Sequence, residues 1–256
     1  MSIYRKQVVQ LGNNKDTFLA SINPTLKLMT HLMIMFILMS SMSALFTLII
    51  LLISFVTGIF LAKWDYTYFR KNIFPYFLFA LLVFWSMAAF GEGTHILWQW
   101  GWFRVSTESM QHGLVLAERA MAFILIGLLF ISTTNVTDLV MSFIHQCKMP
   151  PKWGYGLLAG IRFIPDFQTE LKEVVQAHKV RGYIKYNKLR QFVHYLLPLL
   201  TRGIRKAERT AVAIEARGFQ EGQKRTFYKQ TMVKKKDWLY MLTGICTVLL
   251  LRFLFV

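Results

Sequence analysis

Two arginines offer the clearest chemistry in this sequence. Arg181 lies in Ala177-His178-Lys179-Val180-Arg181-Gly182-Tyr183, and Arg217 in Ala213-Ile214-Glu215-Ala216-Arg217-Gly218-Phe219. Aligned on the arginine, both read Ala-x-x-small or apolar-Arg-Gly-aromatic, which is an internal repeat. A guanidinium keeps its charge at every physiological pH and presents a planar fork of donors, a good match for an acidic groove. A small residue beside it lets a partner's backbone come close. The chemistry is recognition, not bond-making, and Arg181 and Arg217 are expected to be docking pegs for another protein. A single Arg-Gly would be no more than a good helix ending; two copies in tandem require more.

Groups for catalysis are missing. There is no Gly-x-x-x-x-Gly-Lys-Ser/Thr loop for ATP and no His-Glu-x-x-His. The six histidines (His31, His95, His112, His145, His178 and His194) never stand at ligand spacing, and Gly91-Glu92-Gly93 is too short to cradle a phosphate. Cys147 and Cys246 are far apart and read as packed free thiols. No catalytic residue, cofactor or metal is therefore expected, and the chain reads as a non-enzyme.

The elements that carry the arginines are two long helices. Ile164, Phe167, Leu171, Val174 and His178 recur every three or four residues, as do Leu197, Leu200, Ile204, Ala207, Ala211 and Ile214. Each set forms one apolar stripe. Lys172, Glu173, Lys179, Arg202, Arg205, Lys206 and Arg209 fall on the opposite faces. Gly182 and Gly218 sit where a helix ends on a left-handed residue, with the arginine in the last turn beside partly negative carbonyls. Pro165 and Pro198 predict a kink or restart within the two helices.

The rest of the chain reads as membrane. Of its 256 residues 55% are hydrophobic, with 22 Phe and 13 Met and a mean hydropathy of +0.40, more apolar surface than a soluble domain of this size needs. Asn23-Pro24 predicts a helix start. The apolar run 26–62 suits two spans with a turn near Ser40–Ser43, and 63–71 is a charged, aromatic connector. Further spans are expected at 73–90, 113–132 and 238–256. Residues 91–112, rich in tryptophan (Trp98, Trp100, Trp102), read as an interfacial loop or short surface helix. Glu118 and Arg119 fall near the start of the fourth span, where structural pairing is expected. Residues 135–148 read as a short amphipathic helix broken by Pro150-Pro151. No cleavable leader is expected in the polar residues 1–22, which carry Arg5, Lys6, Lys15 and Asp16.

Charge orients this arrangement. Of the net +17, residues 147–237 carry +13, from 20 Lys+Arg against 7 Asp+Glu. With the N-terminus inside, the inner segments 1–25, 63–71 and 133–237 hold nearly all the basic residues, as the positive-inside rule requires. Nucleic acid is thereby excluded as a partner, and acidic cytoplasmic proteins and membrane lipids are favoured. The expected fold is all-α: a polytopic membrane protein with about five transmembrane helices and a cytoplasmic pair of long amphipathic helices. The expected division is 1–134 (four spans), 135–236 (the cytoplasmic helices) and 237–256 (the last span). A rival reading is a membrane scaffold or regulator whose basic amphipathic helices bind anionic lipid.

Several of these residues resemble a known family. Arg162-Phe163-Ile164-Pro165, Val180-Arg181-Gly182, Leu197-Pro198-Leu199 and the run from Ala207-Glu208 to Phe219 are similar to the transmembrane T component of energy-coupling factor (ECF) transporters, as is Asn23-Pro24-Thr25-Leu26-Lys27-Leu28. The resemblance implies a non-catalytic coupling subunit of an ATP-binding-cassette importer for vitamins or transition metals, multi-pass in the cell membrane. It implies two ATPase partners docked at Val180, Arg181, Gly182 and at Ala216, Arg217, Gly218. The first site departs from the family's Ala-Arg-Gly at Val180. It also implies a membrane-embedded S component that binds the solute. The apolar faces of the long helices, at Ile164, Phe167, Leu171, Leu197, Leu200 and Ile204, would meet it.

Overall fold

A computed structural model describes residues 17–255 except 65, 92–94, 101–102, 183–187, 220–225 and 228–229. Arg5, Lys6, Lys15, Asp16, Glu92, Gly93, Trp102 and Tyr183, singled out above, therefore lie outside the described residues. The chain is an all-α, polytopic membrane protein with eight principal helices among the described residues: α1 (Pro24–Met39), α2 (Ala44–Phe60), α3 (Phe74–Phe90), α4 (Thr107–Thr133), α5 (Val136–Gln146), α6 (Pro151–Val180), α7 (Lys188–Ala216) and α8 (Lys235–Phe255). It divides into two compact units, 1–142 with 231–256 and 143–230.

In the first unit, three helical stretches are long and apolar enough to cross a membrane: Arg70–Phe90, Thr107–Thr133 and Lys235–Phe255. The apolar run 26–62 does break into two helices around Ser40–Ser43, but they have only 16 and 17 residues. At 1.5 Å per residue they reach about 24–26 Å, slightly less than the roughly 30 Å of hydrocarbon. Asn23 starts α1 as expected: its side chain accepts from the Thr25 N–H at 3.1 Å, with Pro24 in the first turn. Ser106 starts α4 through a reciprocal pair, its Oγ accepting from Ser109 N–H and its N–H donating to Ser109 Oγ, both at 3.0 Å.

The core of this unit forms where α1, α2, α4 and α8 meet, at Leu38, Phe46, Ile50, Ala122, Ile126 and Val248. α3 lies against α4 through small residues: a Cβ on Gly113 would come within 3.1 Å of the Phe84 carbonyl oxygen. Buried Ala80 and Ala88 line the same helix, and Ser109 Oγ donates to the Ala88 carbonyl at 3.1 Å. Close backbones give the dispersion contact that replaces hydrophobic drive in lipid.

The tryptophan-rich segment corrects the expectation. It is an antiparallel β pair, β1 (Ile96–Trp100) with β2 (Phe103–Ser106), in register Trp98↔Val105, Gln99↔Arg104 and Trp100↔Phe103. Aromatic and β-branched residues in both segments favour strand pairing, which outweighs the bare affinity of indoles for the headgroup zone. In the second unit the prolines do not restart their helices. α6 and α7 run as continuous helices of 30 and 29 residues through Pro165 and Pro198, with no restart.

Candidate docking site

The two Arg-Gly signatures end α6 and α7. Gly182 has φ +76° and Gly218 φ +80°, the left-handed region that a Cβ disfavours. At the second tip the Gly218 N–H donates to Glu215 O at 2.9 Å and the Phe219 N–H to Ile214 O at 3.2 Å. This is the paired 5→2 and 6→1 closure of a Schellman ending. At the first tip Gly182 N–H donates to Lys179 O at 3.1 Å, the matching 5→2 bond. Each arginine is therefore the last residue before the turn, and all six tip residues, Val180, Arg181, Gly182, Ala216, Arg217 and Gly218, are exposed. Phe219 anchors its tip by meeting Tyr155 edge to face, with ring centroids 5.6 Å apart.

The seam between α6 and α7 is polar. Lys206 pairs with Asp166 at 2.7 Å and Glu170 at 3.6 Å, and lies 5.2 Å from the centre of the Phe163 ring. Arg202 pairs with Glu173 at 3.5 Å. The Asp166 hydrogen bond raises the Lys206 pKa above the ordinary 10.5, against a smaller desolvation effect. His178 packs edge-on to Tyr195, 5.2 Å between centroids, and its ring centre is 6.4 Å from that of His194. These two histidines, remote in sequence, are brought together by the fold.

Val174 of the first stripe is buried, but much of each stripe is exposed. Ile164, Leu171, Leu197, Leu200 and Ile204 are all exposed, from 40% at Leu171 to 60% at Leu197 and Ile204. Phe167 differs from expectation: it is half-buried, and a Cβ on Gly203 would meet its ring at 3.0 Å. The glycine is what admits the ring to the seam.

Sequence reasoning missed a polar knot at one end of the first unit. Lys27 Nζ, buried, donates to Leu19 O at 2.8 Å, Thr133 O at 3.0 Å and Thr133 Oγ1 at 3.1 Å. Three oxygens match the three donors of an ammonium. Buried Asp237 accepts from Asn23 N–H at 3.2 Å and Lys234 N–H at 2.7 Å. Ser142 Oγ donates to Asn23 Oδ1 at 2.9 Å and accepts from the Thr25 N–H at 3.2 Å. The starts of α1 and α8, the end of α4 and the α5 residue Ser142 are thus tied together. Asn23-Pro24 was a local signal, but the bonds that tie the elements together join residues 106 (Lys27–Thr133), 119 (Asn23–Ser142) and 214 (Asn23–Asp237) apart. At the other end, Arg119 is buried and donates to the Ser41 carbonyl, while Arg252 donates to Ser40 Oγ at 3.1 Å. Cations here suit the loose carbonyls that end α1. Arg119 pairs with backbone, and the Glu118 Oε2 atom is buried with no hydrogen-bond partner.

Comparison with known proteins places this architecture. The family model described as cobalt transport protein (CbiQ) matches residues 15–228. The chain belongs to the CbiQ family. Relatives of this CbiQ-family protein carry the name energy-coupling factor transporter transmembrane protein EcfT. The Limosilactobacillus fermentum protein is 28% identical over 160 residues, 58% of this chain and 60% of the relative. The Staphylococcus aureus protein is 26% identical over 87% of each chain. The Streptococcus thermophilus protein is 25% identical over 93% of this chain and 95% of the relative. The CbiQ match covers both signatures and the polar knot except Lys234 and Asp237.

Proposed function

We propose that this chain is the transmembrane coupling subunit of an ECF-type importer for a vitamin or transition metal. Two cytoplasmic ATPases would dock on the tips Val180-Arg181-Gly182 and Ala216-Arg217-Gly218, and a membrane-embedded S component on the outward apolar faces. The observation that carries this reading is the twin ending: two long helices, each closing on a left-handed glycine with an exposed arginine just before it. Membership in the CbiQ family and the names of the relatives support it.

In this reading, ATP-driven closure of the partners carries Arg181 and Arg217 with it. α6 and α7 are stiff enough to pass a tip displacement along their length, a shear of rigid elements. Their mutual contact is ionic and can exchange partners as the helices slide. Their exposed apolar faces pass the motion to a partner in the bilayer. The chain supplies no bond-making step, and ATP is hydrolysed by the partners.

The test is the double substitution Arg181→Glu/Arg217→Glu in the co-expressed transporter. Reversing a buried charge against an acidic pocket should cost roughly 2–5 kcal/mol of association at each site. Both ATPases should be lost on purification and uptake should stop. Retention of both with normal uptake would overturn the reading.

A further inference from the structure

We propose that the cavity enclosed by α1, α2, α4 and α8 holds an acyl chain of an anionic membrane phospholipid, with Lys236 at its headgroup end. The cavity has a volume of about 480 Å³, within the roughly 300–1,000 Å³ of small-molecule sites. Along α8 its wall runs Lys236, Tyr240, Thr243, Thr247, Val248, one face of the helix. Twelve steps of 1.5 Å from Lys236 to Val248 make this wall about 18 Å long, a length that suits an extended acyl chain.

The serine and threonine hydroxyls in the wall are already occupied. Thr30 Oγ1 donates to Leu26 O at 2.8 Å, Ser54 Oγ to Ile50 O at 2.8 Å, and Thr247 Oγ1 to Thr243 O at 2.7 Å. Their protons turn back to their own helices, as do those of Thr57 and Thr243, which leaves the Tyr240 phenol, close to Lys236 on the same helix face, as the hydroxyl donor of the wall. The charge sits at one end: Lys236 lines the mouth and closes the run Lys234-Lys235-Lys236. An apolar channel with a basic mouth, in a unit made of membrane helices, matches a lipid tail under an anionic headgroup. His31 Nδ1 is buried without a hydrogen-bond partner, about 12 Å along α1 from Asn23. It lines the cavity beyond the reach of the headgroup, beside the acyl chain.

The proposal rests on the membrane class of the first unit and not on the coupling role. The full chain is reconstituted in phosphatidylcholine vesicles doped with phosphatidylglycerol carrying a photoactivatable acyl chain, and labelled peptides are mapped by mass spectrometry. Labels are expected on the α8 wall and on the facing α2 stretch around Ser54–Thr57. Thr243→Phe and Thr57→Phe, which fill the channel from opposite walls, should each lower this labelling several-fold. Lys236→Glu should lower it several-fold for phosphatidylglycerol and leave a phosphatidylcholine probe unchanged. Monodisperse elution establishes that each variant is folded, and any one folded channel-filling variant suffices. Labels confined to the outer face of α3, labelling that survives a folded channel-filling variant, or equal loss of both probes in Lys236→Glu would each overturn the proposal.

Discussion

Arg217 and Gly218 work as a pair, because the glycine turns the chain so that the arginine ends the helix, exposed. Gly218→Ala keeps the charge but places a Cβ at φ +80°. It should destabilise the tip by about 1 kcal/mol, read as weaker ATPase retention with Arg217 intact. The same change at Gly182 should act in the same direction. The two helix endings were readable in the sequence because a left-handed ending is a local event with a local signal. Lys27 was not readable, since Thr133 lies 106 residues away and a lone lysine in an apolar run has no local partner to reveal it. Lys27→Met should lower stability by about 3 kcal/mol, because two buried carbonyls and a hydroxyl lose a charged donor. A thermal melt of the purified protein in detergent measures this.

At the scale of elements, α6 and α7 reverse the arrangement of a soluble helix pair. Periodicity identified their apolar stripes correctly, yet it does not say which face meets the neighbour. Here Asp166, Glu170 and Glu173 hold Arg202 and Lys206 across the seam, and Ile164, Leu171, Leu197, Leu200 and Ile204 remain exposed. A seam of exposed ion pairs responds to salt. It is indifferent to neutral-range pH on the lysine side. Lys206 is raised above 10.5, so its contribution is complete below that value and is lost only as pH climbs through the raised one. Lys206→Glu should loosen the pair, and Asp166→Lys added to it should restore much of the loss at low ionic strength. Interhelix spin-label distances, compared in low and high salt, provide the measurement. The β pair escaped sequence reading for a related reason. Tryptophans suggest an interface whatever the backbone does, while pairing depends on a register that composition does not reveal.

For the whole molecule, composition was enough to establish the all-α membrane class, and helix existence followed from long apolar runs. Span length was less readable: Ser40–Ser43 marked the break, but the shortness of α1 and α2 depends on where Asn23, Ser43 and Leu61 end them. The proposed topology puts positions 181 and 217 on one side of the membrane and position 95 on the other. Single cysteines at Arg217 and His95, in a chain with Cys147 and Cys246 replaced by serine, should react with an impermeant thiol reagent from opposite sides of sealed vesicles. Labelling of both from the same side would contradict the topology.

The link between Asn23 and Asp237 bears on how the protein is made. The backbone donor that opens α1 meets its carboxylate 214 residues later. The polar seat at that end therefore stays unsealed until α8 has been made and has packed beside α1, and a chain cut before Asp237 should keep it open.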